Sequence, residues 1–270
     1  MMVGRQVLFT YERKGSASFR PILEARNLEV LSDKGLPALK GISFTVHANE
    51  ILGIAGVAGN GQKELAEAMA GLREIQDGEI LIDGRRVEGR SARYMIEQGV
   101  AYVPEDRIKV GAPQSLTVAE NLVLRTYRDE PFSKGLLLQK NEIDANAEKL
   151  ISEFNIITPN KHAITRTLSG GNLQKLILAR ELSGKPKLIV ALYPTRGVDV
   201  GAAEYVRGLL LKQREIGAAV LLISEDLDEI FSLSDRIAVL YEGQIMGILA
   251  VDSANIEEIG LMMGGALRKK

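Results

Sequence analysis

Ile51-Leu52-Gly53-Ile54-Ala55-Gly56-Val57-Ala58-Gly59-Asn60-Gly61-Gln62-Lys63 is a run of five residues, mostly apolar, leading into a glycine-rich turn. Residues 64–70 follow with helical spacing, so the stretch reads as strand, loop and helix in that order. It approaches the form G-x-x-x-x-G-K-[ST], in which N–H groups turn inward around phosphate oxygens and the helix N-terminus adds partial positive charge. Gln62 stands where that form has lysine, and Lys63 where it has the Mg²⁺-binding serine or threonine. One step along a helix rotates a side chain by about 100°, so Lys63 does not replace the missing lysine and points towards the usual metal position. A lost charge-assisted hydrogen bond, roughly 1.5–3 kcal/mol, weakens triphosphate binding by one to two orders of magnitude. The glycines alone are equally compatible with a plain strand-to-helix turn.

Working outward, residues 1–21 are polar and include Lys14-Gly15-Ser16-Ala17-Ser18, a linker composition. Segments 23–30 and 41–46 alternate and predict antiparallel strands. Gly78-Glu79-Ile80-Leu81-Ile82-Asp83-Gly84 predicts a strand ending in a turn. Residues 114–180 carry Leu and Ala at helical intervals. Apolar runs at 187–192, 218–223 and 236–241 predict buried strands, and intervening helices make the sheet mostly parallel.

With 46% hydrophobic and 26% charged residues the chain falls in the ordinary globular class. A net charge of −1, from 34 Lys+Arg against 35 Asp+Glu, argues against a nucleic-acid partner. The absence of cysteine excludes disulfides, thiolate zinc sites and cysteine nucleophiles. His47 and His162 are too few for a histidine metal cluster and read as surface residues. No apolar run approaches the roughly 18–20 residues that span a bilayer, and Met1-Met2-Val3-Gly4-Arg5 lacks a signal peptide's apolar core. The expectation is a cytoplasmic chain, peripheral on the inner face of the cell membrane through a separate membrane protein.

Leu168-Ser169-Gly170-Gly171-Asn172-Leu173-Gln174-Lys175, just before the apolar helix 176–182, resembles the signature motif of ABC ATPases in its sugar-importer spelling. A serine hydroxyl and two glycine amides at a helix N-terminus form an anion site; an N-capped helix is the plainer reading. The resemblance spans about 22–241. More narrowly, the chain is similar to the second ATPase half of double-length subunits serving simple-sugar and nucleoside importers. Four further stretches carry this: Met2-Val3-Gly4-Arg5, Gly53-Ile54-Ala55-Gly56-Val57-Ala58-Gly59-Asn60-Gly61-Gln62, Tyr102-Val103-Pro104-Glu105-Asp106-Arg107, and Pro194-Thr195-Arg196-Gly197-Val198-Asp199-Val200-Gly201-Ala202. It implies an α/β, ABC-type P-loop NTPase fold: a mostly parallel core sheet, an N-terminal antiparallel β subdomain and a helical signature subdomain. The corresponding division is a linker at 1–21, a nucleotide-binding domain at 22–250 with the helical subdomain at about 114–182, and a C-terminal helical tail at 251–270.

The resemblance also implies site residues. Gly56, Gly59, Asn60, Gly61, Gln62, Lys63 and Glu64 correspond to the nucleotide-binding loop. Leu168, Ser169, Gly170, Gly171 and Asn172 correspond to the signature that meets a partner's ATP; Arg196, Gly197 and Asp199 lie in the D-loop at the dimer interface, with a turn cap the plainer reading of Asp199 and a local turn that of Arg196. The family's Walker B carboxylates, one organising Mg²⁺ and one acting as base, are replaced by Leu192 and Tyr193. Glu105 replaces the Q-loop glutamine and Glu225 the switch histidine, where an anion would repel a γ-phosphate. No aromatic lies between Phe19 and Phe44 to stack on adenine. These replacements predict weak ATP binding with little dependence on Mg²⁺, and they assign no catalytic residue and no metal site. Lys63 is expected to pair with Glu105 or Glu225 in the metal's place.

ABC domains pair head to tail, so the implied role is to lend the signature to a partner ATPase domain in a homo- or heterodimer, with the N-terminal half of the same subunit the favoured partner. Transmembrane permease subunits would dock beside 105–121, and the cargo would be a sugar or a nucleoside, with Gly59-Asn60-Gly61-Gln62 and the missing carboxylates favouring nucleosides. The alternative is a catalytically active standalone ABC ATPase with an atypical site, distinguished by Mg²⁺-dependent turnover of the purified chain.

Overall fold

The structure, a computed structural model, describes residues 20–269. Most of the expected linker, Met2-Val3-Gly4-Arg5 and Phe19 fall outside the described residues, while Pro21 already opens the first strand. β1 (Pro21–Leu31) and β2 (Pro37–His47) pair antiparallel, Leu23 opposite Val46 and Ala25 opposite Phe44. β3 (Ile51–Ala55) runs through the glycine loop into α1 (Gln62–Met69). β4 (Asp77–Ile82) returns antiparallel to β1, and β5 (Arg85–Arg86) completes a sheet of order β2-β1-β4-β5. α2 (Ala92–Glu97), capped by Ser91, precedes β6 (Val100–Val103) and a π-turn at Arg107–Gly111.

α3 (Val118–Val123) starts at a reciprocal cap between Thr117 and Glu120, which satisfies orphan N–H groups at its first turn. Then come a small hairpin of β7 (Ser133–Lys134) and β8 (Leu137–Leu138), α4 (Lys140–Glu153) and α5 (Gly170–Leu182). β9 (Leu188–Leu192), α6 (Val200–Glu215), β10 (Ala219–Ser224), α7 (Leu227–Leu233) and β11 (Arg236–Tyr241) alternate, and β12 (Gln244–Ala250) and α8 (Ile256–Met263) close the fold.

The larger sheet has the order β12-β11-β3-β10-β9-β6, parallel except for β12. Side chains alternate across a strand. Leu52, Ile54, Val190 and Ile223 therefore meet α1 and the antiparallel sheet through Leu65, Met69, Leu23 and Val46. Ile51, Ile189, Val220 and Leu222 face the opposite layer through Ile177, Val206, Leu210 and Ile230. Burial on both faces explains the continuous apolar runs. Gly53 allows the end of α7 to close on this sheet: a Cβ there would stand 2.2 Å from Ser234 Oγ.

The structure adds detail to the reading from sequence. The stretch 114–182 is interrupted by the β7–β8 hairpin and by irregular chain between α4 and α5, where Pro131 and Pro159 remove backbone donors. β6 and β12 were not expected as strands; one has four residues and the other is a half-buried edge. The tail 251–269 is helical only in the short turn Val251–Ser253 and in α8. His47 is half-buried, its Nδ1 2.6 Å from Glu50 Oε2, whereas His162 is exposed. No helix among the described residues is long and apolar enough to cross a membrane.

Candidate functional site

β3, β10, β9 and β6 lie side by side and end at one edge of the sheet. Carboxyl ends of parallel strands are where open α/β sheets form their crevices. β3 leads there into the glycine loop, β10 into Glu225, β9 into Tyr193 and β6 into Pro104-Glu105.

Gly59 and Gly61 adopt φ of 94° and 106°, left-handed backbone open to glycine at little cost. A Cβ on Gly61 would also lie 2.5 Å from the Ala38 carbonyl oxygen. Gly61 precedes α1, whose first turn carries Glu64 and has no side-chain cap. Gln62 is buried and folds back into the loop: Oε1 accepts from the Asn60 N–H at 2.9 Å and Nε2 donates to the Val57 carbonyl at 2.8 Å. Inward N–H groups are what such a turn offers to phosphate oxygens; here a carboxamide oxygen of the chain takes the one from Asn60. Asn60 is braced in turn, Nδ2 donating to Val57 at 2.9 Å and Oδ1 accepting from Glu242 N–H at 2.7 Å.

Lys63, expected to pair with Glu105 or Glu225, pairs with neither. Its Nζ donates to Asp33 Oδ2 at 2.9 Å and lies 3.8 Å from Glu67 Oε1, one turn along α1. Asp33, in the β1–β2 turn, is also held by Arg73, which reaches Glu67 as well. The helical offset turns Lys63 towards these carboxylates, its i+4 neighbour among them. The Lys63 and Arg73 hydrogen bonds hold the Asp33 carboxyl down at about 2. Because this lies below the ordinary value, the pairing stabilises the fold above about pH 4 and fades as pH falls towards 2. An NMR titration of Asp33 should show a midpoint near 2, moving upward in Lys63→Ala; an unmoved midpoint would rule out this contact.

Leu192 is buried and offers no ligand atom. Tyr193 follows with φ 47° and is 6% exposed. Burial, then Glu225 and Glu105, push its phenol up to about 12, which leaves even less phenolate at neutral pH to act as a base. The guanidinium of Arg196 lies over this ring, 5.7 Å from its centroid. It pairs directly with Glu105 and stands 3.9 Å from Glu225. The cation shared by the two glutamates is thus Arg196. Gln174 Nε2 fixes the Pro194 carbonyl at 2.8 Å, and Thr195 Oγ1 donates to the buried Glu229 at 2.7 Å.

Mg²⁺, which the family resemblance implies beside a phosphate loop, does not fit these residues. It takes oxygen ligands in near-ideal octahedral geometry. Beside a bound triphosphate it needs only one or two protein carboxylates, and the two at these strand ends, Glu105 and Glu225, face a guanidinium.

The signature residues form a separate group. Ser169 caps α5, its Oγ accepting from Asn172 Nδ2 at 2.9 Å and from Asn172 N–H at 3.4 Å. Ser169 and Gly170 are exposed, while Leu168, Gly171 and Asn172 are half-buried. A Cβ on Gly171 would lie 3.3 Å from Asp199 Oδ2, so the turn packs against the segment 197–199. Asp199 caps α6, its Oδ1 accepting from Ala202 N–H at 2.9 Å. Arg107, given no role from sequence, donates to the Gly197 carbonyl at 3.4 Å and lies 3.6 Å from a Cβ built on Gly170. Burial lowers the pKa of Arg107. Nothing local in the sequence distinguishes it from its neighbours.

Beside 105–121 runs an apolar groove of about 350 Å³ with Leu72, Ile96, Tyr102, Val110 and Leu124 in its walls. Also at this groove, the buried Glu181 accepts from the Tyr102 N–H at 3.0 Å and pairs with Arg125 and Arg180. These arginines donate onward to the Val100 and Gly111 carbonyls. One carboxylate therefore ties both ends of 100–111, the segment carrying Glu105, to the ends of α3 and α5.

The profile of the ABC transporter family matches residues 39–195. The chain is 49% identical over 98% of its length to a glucose import ATP-binding protein of Haloferax volcanii, covering 48% of that protein. It is 40% identical over 100% of its length to a guanosine import ATP-binding protein of Bacillus subtilis, covering 53% of that protein. A nucleoside import ATP-binding protein of Lactococcus lactis is 42% identical over 98% of this chain and is covered over 52% of its own length. The chain thus spans about half the length of the curated relatives it matches. Among solved structures, a nucleotide-free ATP-binding cassette from an ABC transporter superposes with a TM-score of 0.73 at 22% identity, over 89% of this chain and 98% of that one. A dimeric post-hydrolysis cassette bound to ADP and Pi superposes with a TM-score of 0.72 at 21% identity, over 85% of this chain and 99% of that one. With the ABC ATPase fold in place and the family profile matched over more than half of its length, the chain belongs to the ABC transporter family.

Proposed function

We propose that this chain is an energy-coupling, ATP-binding domain of an importer for sugars or nucleosides, and that it lends its signature turn to the ATP of a partner ATPase domain. The observation that carries this reading is an asymmetry. Ser169 and Gly170 are exposed at the start of α5, whereas the chain's own loop donates one inward amide to Gln62 and has Leu192 and Tyr193 where carboxylates would serve a metal. An open helix N-terminus with a serine hydroxyl suits a γ-phosphate. We infer that the partner is the N-terminal half of the same subunit; the reading is motivated by relatives about twice as long as this chain. The import of glucose, guanosine and nucleosides named for those relatives supports the cargo class. Permease subunits dock at the groove beside 105–121, and this attachment holds the domain at the inner face of the membrane. ATP is bound weakly at loop 56–63, without a role for Mg²⁺.

The test is ATP hydrolysis by the chain assembled with a partner domain that has an intact phosphate loop and Walker B carboxylates. Ser169→Ala is expected to lower turnover of the pair about 10- to 100-fold, the worth of one charge-assisted hydrogen bond. Ser169→Asp keeps a strong helix cap while placing an anion against phosphate, so it should preserve stability and still abolish turnover. An active Ser169→Asp pair would reduce Ser169 to a cap, and Mg²⁺-supported turnover by the isolated chain, lost on altering its own loop, would overturn the proposal.

A further inference from the structure

β9 lies between β10 and β6 in the sheet, so the segment leaving it can reach the segments leaving both neighbours. Arg196 does so, pairing with Glu105 after β6 and standing 3.9 Å from Glu225 after β10. Its guanidinium is backed by the Tyr193 ring. The other charged groups around the strand ends are engaged elsewhere: Lys63 with Asp33, Arg107 with Gly197, and Asp106 with the N–H groups of Ile108 and Lys109. On the α7 side, Asp226 and Glu229 are met by Arg207. Side chains of Arg196, Glu105 and Glu225 are 53, 37 and 43% exposed, so a dissolved metal ion can compete for the carboxylates.

We propose that Arg196 is the resident cation of this site: it neutralises Glu105 and Glu225 where a divalent ion would otherwise be drawn, and a nucleoside triphosphate held by loop 56–63 binds without metal. A guanidinium stays charged at any working pH and presents a planar fork of donors to carboxylate oxygens. Being tethered, it competes at high effective concentration against a free ion. The clause about nucleotide rests on the reading of loop 56–63 given above; the clause about the carboxylates does not.

Two measurements on the intact chain test it, each with native protein, Arg196→Ala and Arg196→Lys. In Mn²⁺ titrations followed by electron paramagnetic resonance without nucleotide, native chain and Arg196→Lys should leave the free-ion signal unchanged. Arg196→Ala, with two carboxylates released, should bind Mn²⁺ and deplete that signal. In titrations with a fluorescent ATP analogue, native affinity should agree within about twofold between EDTA and Mg²⁺; Arg196→Ala should lose about tenfold in EDTA and recover in Mg²⁺. Native chain that binds Mn²⁺ as well as Arg196→Ala, or that gains about tenfold in ATP affinity from Mg²⁺, would overturn the proposal. If none of the three binds nucleotide, the reading of loop 56–63 fails, and the Mn²⁺ comparison still decides the role of Arg196.

Discussion

Gln62→Lys combined with Lys63→Ser is expected to tighten ATP binding by the isolated chain about 10- to 100-fold, one charge-assisted hydrogen bond at roughly 1.5–3 kcal/mol. Two effects act together. Removing the carboxamide releases the Asn60 N–H, now held at 2.9 Å, for a phosphate oxygen, and the new ammonium supplies the missing charge. Lys63→Ser leaves Asp33 with Arg73, and solvent screens an exposed pair of this kind, so the fold tolerates the loss. Gln62 is only 2% exposed, so a lysine there is buried without an anion until nucleotide arrives. The double variant should therefore melt below the native chain when empty and recover strongly with ATP, as linkage requires. Fluorescent-ATP titration and thermal melts measure both quantities. Hydrolysis should stay at background, because Leu192 and Tyr193 are untouched. Unchanged affinity would show that the loop does not face nucleotide.

Glu181→Ala is expected to destabilise the fold by about 3–5 kcal/mol, the usual result of removing one partner from a buried ion pair. Side chains of Glu181, Arg180 and Arg125 are 5, 9 and 15% exposed, so the two arginines would remain largely desolvated without their common anion. For a chain of this size the loss corresponds to a Tm drop on the order of 10 °C. The Tyr102 N–H also loses its acceptor at 3.0 Å, so segment 100–111, with Glu105 and the groove wall at Val110, should exchange its amide hydrogens faster than the central strands. Glu181→Gln keeps an acceptor and should fall between the two. Urea denaturation and hydrogen exchange measure these effects. A loss within about 0.5 kcal/mol of native, the range of ordinary surface changes, would mean that solvent screens the cluster.

The features legible along the chain are those made by neighbours in sequence. A strand buried on both faces shows as a continuous apolar run, which is why β3, β9, β10 and β11 could be read, and the turn at Ser169-Gly170-Gly171 is contiguous and carries its own cap. β6 and β12 escaped because four residues, or one half-buried edge, hold too little periodicity. The charge pairing was not legible at all. Lys63 binds Asp33 across 30 positions, and Arg196 binds Glu105 across 91. Chain order runs β3, β6, β9, β10, whereas the sheet runs β3-β10-β9-β6. Strand ends far apart in sequence become adjacent only when the sheet assembles, and that adjacency selects which carboxylate each cation meets.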